Sequence, residues 1–556
     1  MKLYCLAAAL LATTAANADL FRDASEDVGV EFTHFNGMSG AHYFPEMMGA
    51  GGAVFDYDND GDLDLYLLQG RMLGQGKTLD DASFPPADDK PLHDRLYRND
   101  CNRPCTTLKF TDVTADSGIV ADGYGMGVAA ADIDNDGFID LYVMNFGSNQ
   151  LWRNQGDGTF KNITQSAGVD DARWSVSASF VDIDADGLLD LYVGNYLKHD
   201  NSKQRVCKLA QRFDDYCGPL RGAGQTDRLF HNQGDGVFKD ISESSGIVSA
   251  WGGALGISTA DFDGDGDLDI YVANDGVANQ LWLNQGDLTF EDDALLAGVS
   301  VNKDGMAEAS MGVDAADFDG DGDMDLFMTH LRQETNTLYV NDGQGWFEDQ
   351  SIAMGLASDS FSYTGFGTAW FDFNNDGWLD VLSVNGAVRK IEALLLAADP
   401  YPLHQPNQLF ENTGGGRYRE ITATAGAVFG LSEVSRGAAF GDLDNDGDTD
   451  VVVTNNNGRV RIMLNEHAGP QHWLGLRVLD AAGRDALGAV VTATLGEATL
   501  VRSVRSDGSY ASANDPRVLL GLGSSDEKTS VTVRWPNGKS KTFADLDVDR
   551  YHVLEP

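Results

Sequence analysis

The sequence predicts an all-β chain in which a seven-bladed β-propeller is followed by a small C-terminal β-sandwich. Three observations lead to this prediction. A nine-residue acidic pattern, Asp-x-Asp/Asn-x-Asp-Gly-x-x-Asp, occurs seven times within 556 residues. Two short strand patterns accompany the copies, the second of them absent after the last copy, and alternating apolar runs without acidic loops follow. Repeats of roughly 50–80 residues with four short strands are typical of propeller blades.

Residues 1–18 are predicted to be a secretory signal peptide that is cleaved after Ala18. Lys2 precedes an apolar stretch, and Ala16-Asn17-Ala18 provides a small-x-small cleavage site. The remaining sequence has no run of the roughly 18 apolar residues that a membrane span needs. We therefore expect a secreted, cell-surface or periplasmic protein that does not insert into a membrane.

The cysteine count agrees with export, and the net charge restricts the possible partners. Four cysteines follow the predicted signal, in the local pairs Cys101/Cys105 and Cys207/Cys217. An even, paired number in an exported chain predicts two disulfides rather than a redox site. The net charge of −47 argues against nucleic acid and anionic membranes as partners, because binding them requires basic patches.

Each predicted blade combines an acidic loop with three strand signatures. An acidic loop begins where an apolar run ends, and a second strand follows the loop and ends on a polar side chain. Next comes a Leu-aromatic-x-Asn strand, whose copies begin at Leu96, Leu151, Leu229, Leu281, Leu338, Leu409 and, in degenerate form, Ile462. A Phe-x-Asp type strand completes the repeat, at Phe110, Phe160, Phe238, Phe290, Phe347 and Tyr418. Such apolar runs bounded by Gly, Asn and Asp are typical of short strands.

The order of these features predicts how the two ends of the repeat region meet. Residues 20–23 (Leu-Phe-Arg-Asp) already form a Phe-x-Asp strand before the first loop, whereas no such strand follows the seventh loop at Asp442. We therefore predict that residues 20–23 complete the seventh blade. This closes the ring and removes an open strand edge.

The acidic loops are predicted to bind about seven Ca²⁺ ions. Positions one, three, five and nine offer side-chain oxygens, position seven offers a backbone carbonyl, and Gly at position six permits a sharp turn. EF-hands are excluded, because they need Glu at position twelve and these copies have Leu, Val, Met or Ser there. A mainly structural role is expected, since clustered carboxylates repel one another without a cation. The expected ligands are Asp56, Asp58, Asp60, Asp62 and Asp64; Asp132, Asp134, Asp136, Phe138 and Asp140; Asp182, Asp184, Asp186, Leu188 and Asp190; Asp261, Asp263, Asp265, Asp267 and Asp269; Asp317, Asp319, Asp321, Asp323 and Asp325; Asp372, Asn374, Asp376, Trp378 and Asp380; and Asp442, Asp444, Asp446, Asp448 and Asp450.

The C-terminal part has a different pattern. From about His472, apolar residues alternate at 474–478, 491–495 and 531–535, and Pro536-Asn537-Gly538 marks a tight hairpin between two such runs. This pattern predicts a small β-sandwich of about 85 residues.

The loops and the Leu-Tyr-Val-x-Asn strands after them resemble FG-GAP/VCBS repeats, the calcium-loop blades also found in integrin α-subunit propellers. The C-terminal part resembles the ASPIC/UnbV domain, on Asn-Asp-Pro at 514–516, Gly-Leu-Gly at 521–523 and Val-Arg-Trp-Pro-Asn-Gly at 533–538. The chain is thus similar to a bacterial-type member of the cartilage acidic protein family. The resemblance implies an integrin-α-like propeller with calcium at residues 19–468 and an ASPIC/UnbV-like β domain at 469–556, and says almost nothing about activity.

The face opposite the acidic loops is the expected binding surface. Three connections between second and third strands are long, at residues 70–94, 198–227 and 386–408, and insertions on a rigid scaffold often bind partners. Polar side chains at the ends of the second strands are candidate ligand-binding groups near a central channel. They are Gln69, Asn145, Asn195, Asn274, His330, Asn385 and Asn455. The alternative is that they satisfy backbone groups at strand ends and bind nothing.

The leading functional hypothesis is a calcium-binding adhesion or ligand-binding protein for glycan or for exported protein partners. Catalytic motifs such as Gly-x-Ser-x-Gly and His-Glu-x-x-His do not occur. One alternative is a calcium-dependent, lyase-like enzyme acting on polysaccharide, with His330, His42, Tyr43 and Arg436 as candidates. Another is a scaffold for other exported proteins. A cluster before the first blade, His34, His42, Tyr43, Glu46, Met47 and Met48, is interpreted as a loop that lines the channel, with a transition-metal or acid–base site as the alternative.

Overall fold

The computed structural model describes residues 19–86, 90–101, 105, 107–219, 223–467, 469–496 and 498–556. The predicted signal peptide at 1–18 lies outside these residues. The described chain is almost entirely strands, turns and loops, which confirms the all-β prediction. Within the described ranges, no helix is long and apolar enough to cross a bilayer.

The seven repeats form seven four-stranded antiparallel sheets, numbered here 1 to 7 in chain order. Sheets 1 to 3 consist of Gly52–Phe55, Asp64–Leu67, Arg95–Asn99 and Phe110–Asp112; Gly125–Ala131, Asp140–Asn145, Gly147–Asn154 and Phe160–Asn162; and Ser175–Val181, Asp190–Asn195, Arg228–Asn232 and Phe238–Asp240. Sheets 4 to 6 consist of Ala254–Ala260, Asp269–Asn274, Gln280–Asn284 and Phe290–Asp292; Val313–Ala316, Asp325–Met328, Thr337–Asn341 and Phe347–Asp349; and Gly365–Phe371, Asp380–Asn385, Gln408–Asn412 and Tyr418–Glu420.

Sheet 7 joins the two ends of the repeat region. Its strands Ser435–Gly441, Asp450–Asn455 and Arg461–Asn465 are completed by Phe21–Asp23, with Phe21 opposite Asn465. Phe21 is buried, and its ring packs against Phe371 of sheet 6, Phe373 of the sixth acidic loop and Phe429 of the connection between sheets 6 and 7. The N-terminal strand therefore lies where the repeat order predicts.

The first strands of the sheets contact one another in sequence. The first strand of each sheet contacts that of the next sheet, and the first strand of sheet 7 contacts that of sheet 1. These strands are buried on both sides and are rich in Ala, Gly and Val, as close packing requires.

Helices are short and connect the strands. The α-helical turns are Thr114–Ser117, Thr164–Ala167, Ala294–Ala297, Ala357–Ser360 and Glu392–Leu396, and the 3-10 turns are Phe44–Met47, Leu79–Asp81, Asn201–Lys203, Ile247–Ser249, Thr422–Thr424 and Ala427–Gly430. A two-stranded hairpin, Cys207–Leu209 and Phe213–Asp215, lies in the connection between the second and third strands of sheet 3.

The C-terminal part forms two further sheets. One contains Val518–Gly523, His472–Val478 and Tyr551–Leu554, and the other contains Ala498–Ser503, Val490–Leu495, Thr529–Arg534 and Ser540–Leu546. Their alternating apolar side chains, such as Leu474, Leu476, Val491 and Val533, share one core. The predicted hairpin at Pro536–Gly538 joins two paired strands of the second sheet.

Residues 505–517, called here the axial segment, leave the C-terminal part and reach the first strands of all seven sheets. Its hydrogen bonds to sheets 1 to 7 join Ala513 N to Gly52 O, Val128 N to Ala511 O, Ala511 N to Ser177 Oγ, Thr259 N to Asp507 Oδ2, Val313 N to Ser509 O, Thr368 N to Ser509 Oγ, and Ser509 Oγ to Ala438 O, at 2.7–3.2 Å. Gly51 permits this approach, because a Cβ there would lie 1.7 Å from Ala511 O. The axial segment thus lies among the first strands and contacts one strand of every sheet.

Candidate metal centres

The last Asp of every acidic loop ties that loop to its own sheet. In the first loop, Asp64 Oδ1 accepts the N–H of Asn99 at 2.8 Å and Asp64 Oδ2 accepts the N–H of Tyr57 at 2.9 Å. The same two bonds occur in all seven loops, at 2.7–2.8 Å and 2.9–3.3 Å. Burial raises the pKa of these carboxyls, to about 8 for Asp190. Position nine therefore has a structural role in addition to its predicted ligand role.

The Asn of the third strand links successive loops. Asn154 Nδ2 donates to Ile139 O of its own loop at 3.2 Å and to Tyr57 O of the preceding loop at 2.8 Å. Asn99 Nδ2 makes the equivalent bond to Leu443 O, which joins sheet 1 to sheet 7. The Leu-aromatic-x-Asn pattern was visible in the sequence, but its linking role depends on contacts between repeats.

The carboxylates of single loops converge. One oxygen from each of Asp56, Asp58 and Asp64 lies within 4.8 Å of the others. Comparable groups are Asp132, Asp134 and Asp136; Asp182, Asp184 and Asp190; and Asp261, Asp263 and Asp265. Burial, together with the neighbouring carboxylates, raises the pKa of Asp56 to about 6, although Arg477 opposes the shift. Oxygen donors at this density are the ligand type that Ca²⁺ prefers.

Some of these buried oxygens have no donor in the protein. Asp56 Oδ1, Asp58 Oδ1 and Asp444 Oδ1 are buried and lack a hydrogen-bond partner among the described residues. Leaving a buried charged oxygen unsatisfied costs about 1–3 kcal/mol or more. A cation held by the side chains of positions one, three, five and nine would supply the missing partner, so the residues present fit Ca²⁺.

Turn geometry holds neighbouring loops side by side. Gly61 has φ +89°, and its N–H donates to Asp56 Oδ2 at 3.0 Å. Asn59, also left-handed at φ +59°, donates through Nδ2 to Gly137 O of the second loop at 2.7 Å. Asn135 and Asn375 donate in the same way to Gly187 O and Gly447 O, and Asn445 Nδ2 donates to Asp62 Oδ1 of the first loop.

The C-terminal sandwich lies against these loops and directs arginines at them. Arg477 Nη1 is 3.7 Å from Asp56 Oδ2, and Arg534 Nη2 is 3.6 Å from Asp261 Oδ2. Arg517 Nη2 donates to Asp442 O at 2.9 Å and Arg502 Nη2 to Gly377 O at 3.2 Å. These side chains offset part of the negative charge of the loops. Sequence reasoning missed them because nothing local relates them to a repeat.

The side chains predicted to form a polar ring are buried. Six of the seven are hydrogen-bonded within the protein, whereas neither ring nitrogen of His330 has a hydrogen-bond partner among the described residues. Gln69, Asn145, Asn195, Asn274, His330, Asn385 and Asn455 are 0–7% exposed. Gln69 Oε1 accepts the N–H of Phe35 at 2.6 Å, Asn145 Nδ2 donates to Ser148 O at 3.1 Å, and Asn455 Nδ2 donates to Arg459 O at 2.8 Å. Burial lowers the pKa of His330 to about 4.

The four residues suggested for an enzymatic role differ in how deeply they are buried. Arg436 is fully buried, donates to Met47 O at 2.7 Å and Gly386 O at 2.8 Å, and stacks on Phe366. His330 is buried as well, whereas His42 and Tyr43 are partly exposed.

The face opposite the acidic loops is covered by insertions that contact each other. Tyr216 OH, in the residues that follow the hairpin of sheet 3, donates to Glu46 Oε2 of the N-terminal segment at 3.0 Å, and the Tyr216 ring lies 4.9 Å from that of His42. Lys390 N, from the insertion of sheet 6, donates to Asp215 Oδ1 at 3.2 Å. Burial raises the pKa of Glu46 to about 7, although the Tyr216 bond opposes the shift.

Both predicted disulfides are present. Cys207–Cys217 closes the hairpin of sheet 3, with a Cα–Cα distance of 5.1 Å. Cys101–Cys105 follows the third strand of sheet 1, with a Cα–Cα distance of 5.4 Å. The pairing predicted from the local spacing is therefore confirmed.

Two family models match the chain. The FG-GAP-like repeat matches residues 132–193, 216–272, 261–328, 317–383 and 394–453, which together are just over half of the chain. The ASPIC and UnbV model matches residues 480–556.

The chain is also similar to cartilage acidic protein 1. Identity is 27% over 308 residues of the Homo sapiens protein (54% of this chain, 44% of that protein) and 30% over 165 residues of the Xenopus tropicalis protein (28% and 25%). The match to the Mus musculus protein is 26% identical over 324 residues (57% and 47%). The chain thus spans less than half the length of these relatives.

Similar solved structures are more distant. The BP39L lectin from Burkholderia pseudomallei is 11% identical, with 76% of this chain and 97% of that chain covered and a TM-score of 0.45. An Agrocybe aegerita lectin, described as recognising non-reducing terminal N-acetylglucosamine, is 16% identical, with 67% and 88% covered and a TM-score of 0.37.

Proposed function

Because the chain belongs to the FG-GAP-like repeat family and carries a C-terminal ASPIC and UnbV domain, we propose that it is an exported, calcium-stabilised binding protein. In this proposal the seven sheets are the blades of a closed propeller. The face opposite the acidic loops binds glycan or an extracellular or periplasmic protein. Two disulfides support an oxidising compartment.

Closure is supported by the contacts between the ends of the repeat region. The first strand of sheet 7 contacts that of sheet 1, the N-terminal strand Phe21–Asp23 completes sheet 7, and Asn99 bonds to the seventh loop at Leu443. Together these contacts support a closed ring, in which no strand edge would be left open between sheets 7 and 1.

The buried, unpartnered carboxylate oxygens carry the calcium proposal. Asp56 Oδ1 and Asp58 Oδ1 lie beside Asp64 in a group of carboxylate oxygens. Asp444 Oδ1 of the seventh loop corresponds to Asp58 Oδ1, because both residues are at position three. Calcium takes six to eight oxygen ligands in flexible geometry, so side-chain and backbone oxygens of one loop could hold an ion. Each ion would then offset the repulsion within its loop and stabilise the blade.

The location of the binding face is inferred from which side of the sheets remains accessible. The C-terminal sandwich lies on the acidic loops and the axial segment fills the centre, whereas the opposite face carries the three insertions. Large aromatic side chains, each about half exposed, lie on that face: Phe84, Trp251, Phe361 and Tyr401. Tyr401 also stacks on His404, with 4.6 Å between ring centroids. Exposed aromatic rings bind sugars and protein surfaces through their apolar faces while polar neighbours fix orientation.

A panel of polysaccharides with the calcium-loaded protein tests this proposal, with retained and released glycans analysed by mass spectrometry. Intact glycan retained by the protein, and retained at least about tenfold less by the Trp251→Ala and Tyr401→Ala variants, supports binding at this face. Trp346→Ala is the matched control, because Trp346 is 59% exposed but lies in the turn between the third and fourth strands of sheet 5, on the side of the acidic loops. Equal loss in the control would contradict the assignment of the face, and shortened or unsaturated products would identify an enzyme.

A further inference from the structure

The third acidic loop faces a histidine where other repeats have other residues. His231 occupies the third position of its Leu-aromatic-x-Asn strand, where the other six repeats have Arg98, Arg153, Leu283, Val340, Glu411 and Leu464. In sheet 2, Arg153 at this place forms ion pairs with Asp134 at 2.6 Å and Asp136 at 3.3 Å. A side chain at this place therefore faces positions three and five of its loop.

In sheet 3 the same placement brings an imidazole to two carboxylates. His231 Nε2 lies 3.1 Å from Asp184 Oδ2. One ligand atom each from Asp184, Asp186 and His231 lie within 4.8 Å of one another. Ligands about 2.1 Å from a tetrahedral Zn²⁺ are roughly 3.4 Å apart, so small side-chain rotations would complete a three-ligand site. Asp184 and Asp186 are exposed and His231 is half-buried, so an ion can enter from solvent.

A separate residue orients the imidazole. The side-chain amide of Gln233 lies 2.6 Å from His231 Nδ1. The contact is made by the amide nitrogen Nε2, which also donates to His231 O at 3.4 Å and to Asn232 O at 3.3 Å. Gln233 therefore fixes the position of the ring beside the loop.

We propose that His231, Asp184 and Asp186 bind a divalent transition metal of the Zn²⁺ or Co²⁺ class. An imidazole nitrogen favours these metals, whereas Ca²⁺ takes oxygen ligands. The oxygen-only group of the same loop, Asp182, Asp184 and Asp190, is the candidate calcium position. With the predicted calcium ligands of this loop, the two sites share Asp184 and Asp186, each of which has two carboxylate oxygens to offer. The transition-metal site does not depend on the proposed calcium sites or on the proposed ligand face.

Cobalt binding tests the proposal in millimolar calcium, with protein that carries no histidine tag. Equilibrium dialysis and the visible absorption of Co²⁺ should detect one equivalent with nitrogen and oxygen ligands. His231→Leu should weaken binding at least about tenfold. Leucine fits this place, because Leu283 and Leu464 occupy it in sheets 4 and 7. His231→Arg introduces the residue type that sheets 1 and 2 have at this place, and it should also weaken cobalt binding at least about tenfold.

The control is His472→Leu. His472 is also partly exposed and pairs with a carboxylate, Asp549, at 2.8 Å, so its loss should leave cobalt binding unchanged. Absence of cobalt uptake, or uptake that survives both His231 substitutions, overturns the proposal. Calcium is counted on the same samples by elemental mass spectrometry. Protein that binds cobalt but no calcium would thus contradict only the proposed calcium sites. Protein that binds calcium but no cobalt would contradict only the proposed His231 site.

Discussion

Replacing Tyr510 with alanine should destabilise the protein strongly, because this side chain lies at the centre of the ring. Tyr510 is fully buried, its hydroxyl donates to Met48 O at 2.6 Å, and its ring meets that of Phe366 edge-on at 4.8 Å. Removing a buried aromatic ring costs about 3–5 kcal/mol. The unsatisfied Met48 carbonyl adds about 1 kcal/mol. We expect a loss of about 4–6 kcal/mol in the free energy of unfolding.

Urea unfolding of the calcium-loaded protein, followed by tryptophan fluorescence, measures this loss. Tyr510→Phe removes only the hydroxyl and should cost about 1–2 kcal/mol. Tyr401→Ala, at a tyrosine that is 55% exposed, should change stability by less than about 0.5 kcal/mol. A Tyr510→Ala variant within about 1 kcal/mol of the unsubstituted protein would refute the placement of the axial segment inside the ring.

Two further predictions concern the links between blades and the cap on the opposite face. Asn154→Ala removes the donor shared by Tyr57 O and Ile139 O and should lower the unfolding free energy by about 2–4 kcal/mol; unchanged urea unfolding would contradict the linking role. Glu46 has a pKa raised from 4.5 to about 7, so its contribution to stability is complete below about pH 4.5 and is lost as the pH rises through 7. Glu46→Gln should therefore reduce the stability lost between about pH 5 and pH 8 by about 2–3 kcal/mol; parallel pH profiles of the two proteins would contradict this.

The repetitive part of the structure could be predicted from the sequence because the residues of each repeat indicate the loop and the strands of that repeat. The acidic loops, the Asn strands and the two disulfides follow from local patterns. The pairing of Phe21–Asp23 with Arg461–Asn465 spans the whole repeat region, yet it follows from counting strands. A missing strand in the last repeat and a surplus strand before the first one have a single consistent solution.

The centre of the ring could not be predicted in the same way. Residues 505–517 contain Gly, Ser, Ala and Asn, a composition typical of an exposed loop. Their contacts extend to sheets up to several hundred residues away, and no periodicity encodes them. The expectation of polar side chains around a central channel did not consider that another part of the chain fills that space. Asn145 and His330 are buried instead of lining an open channel.

Calcium stoichiometry tests the central claim most directly. The protein is stripped with chelator, reloaded with calcium, dialysed, and analysed by elemental mass spectrometry alongside an Asp56→Asn, Asp58→Asn variant of the first loop. The account predicts about seven equivalents of calcium in the unsubstituted protein and one fewer in the variant. Two or fewer equivalents, or a number that the variant does not change, would contradict it.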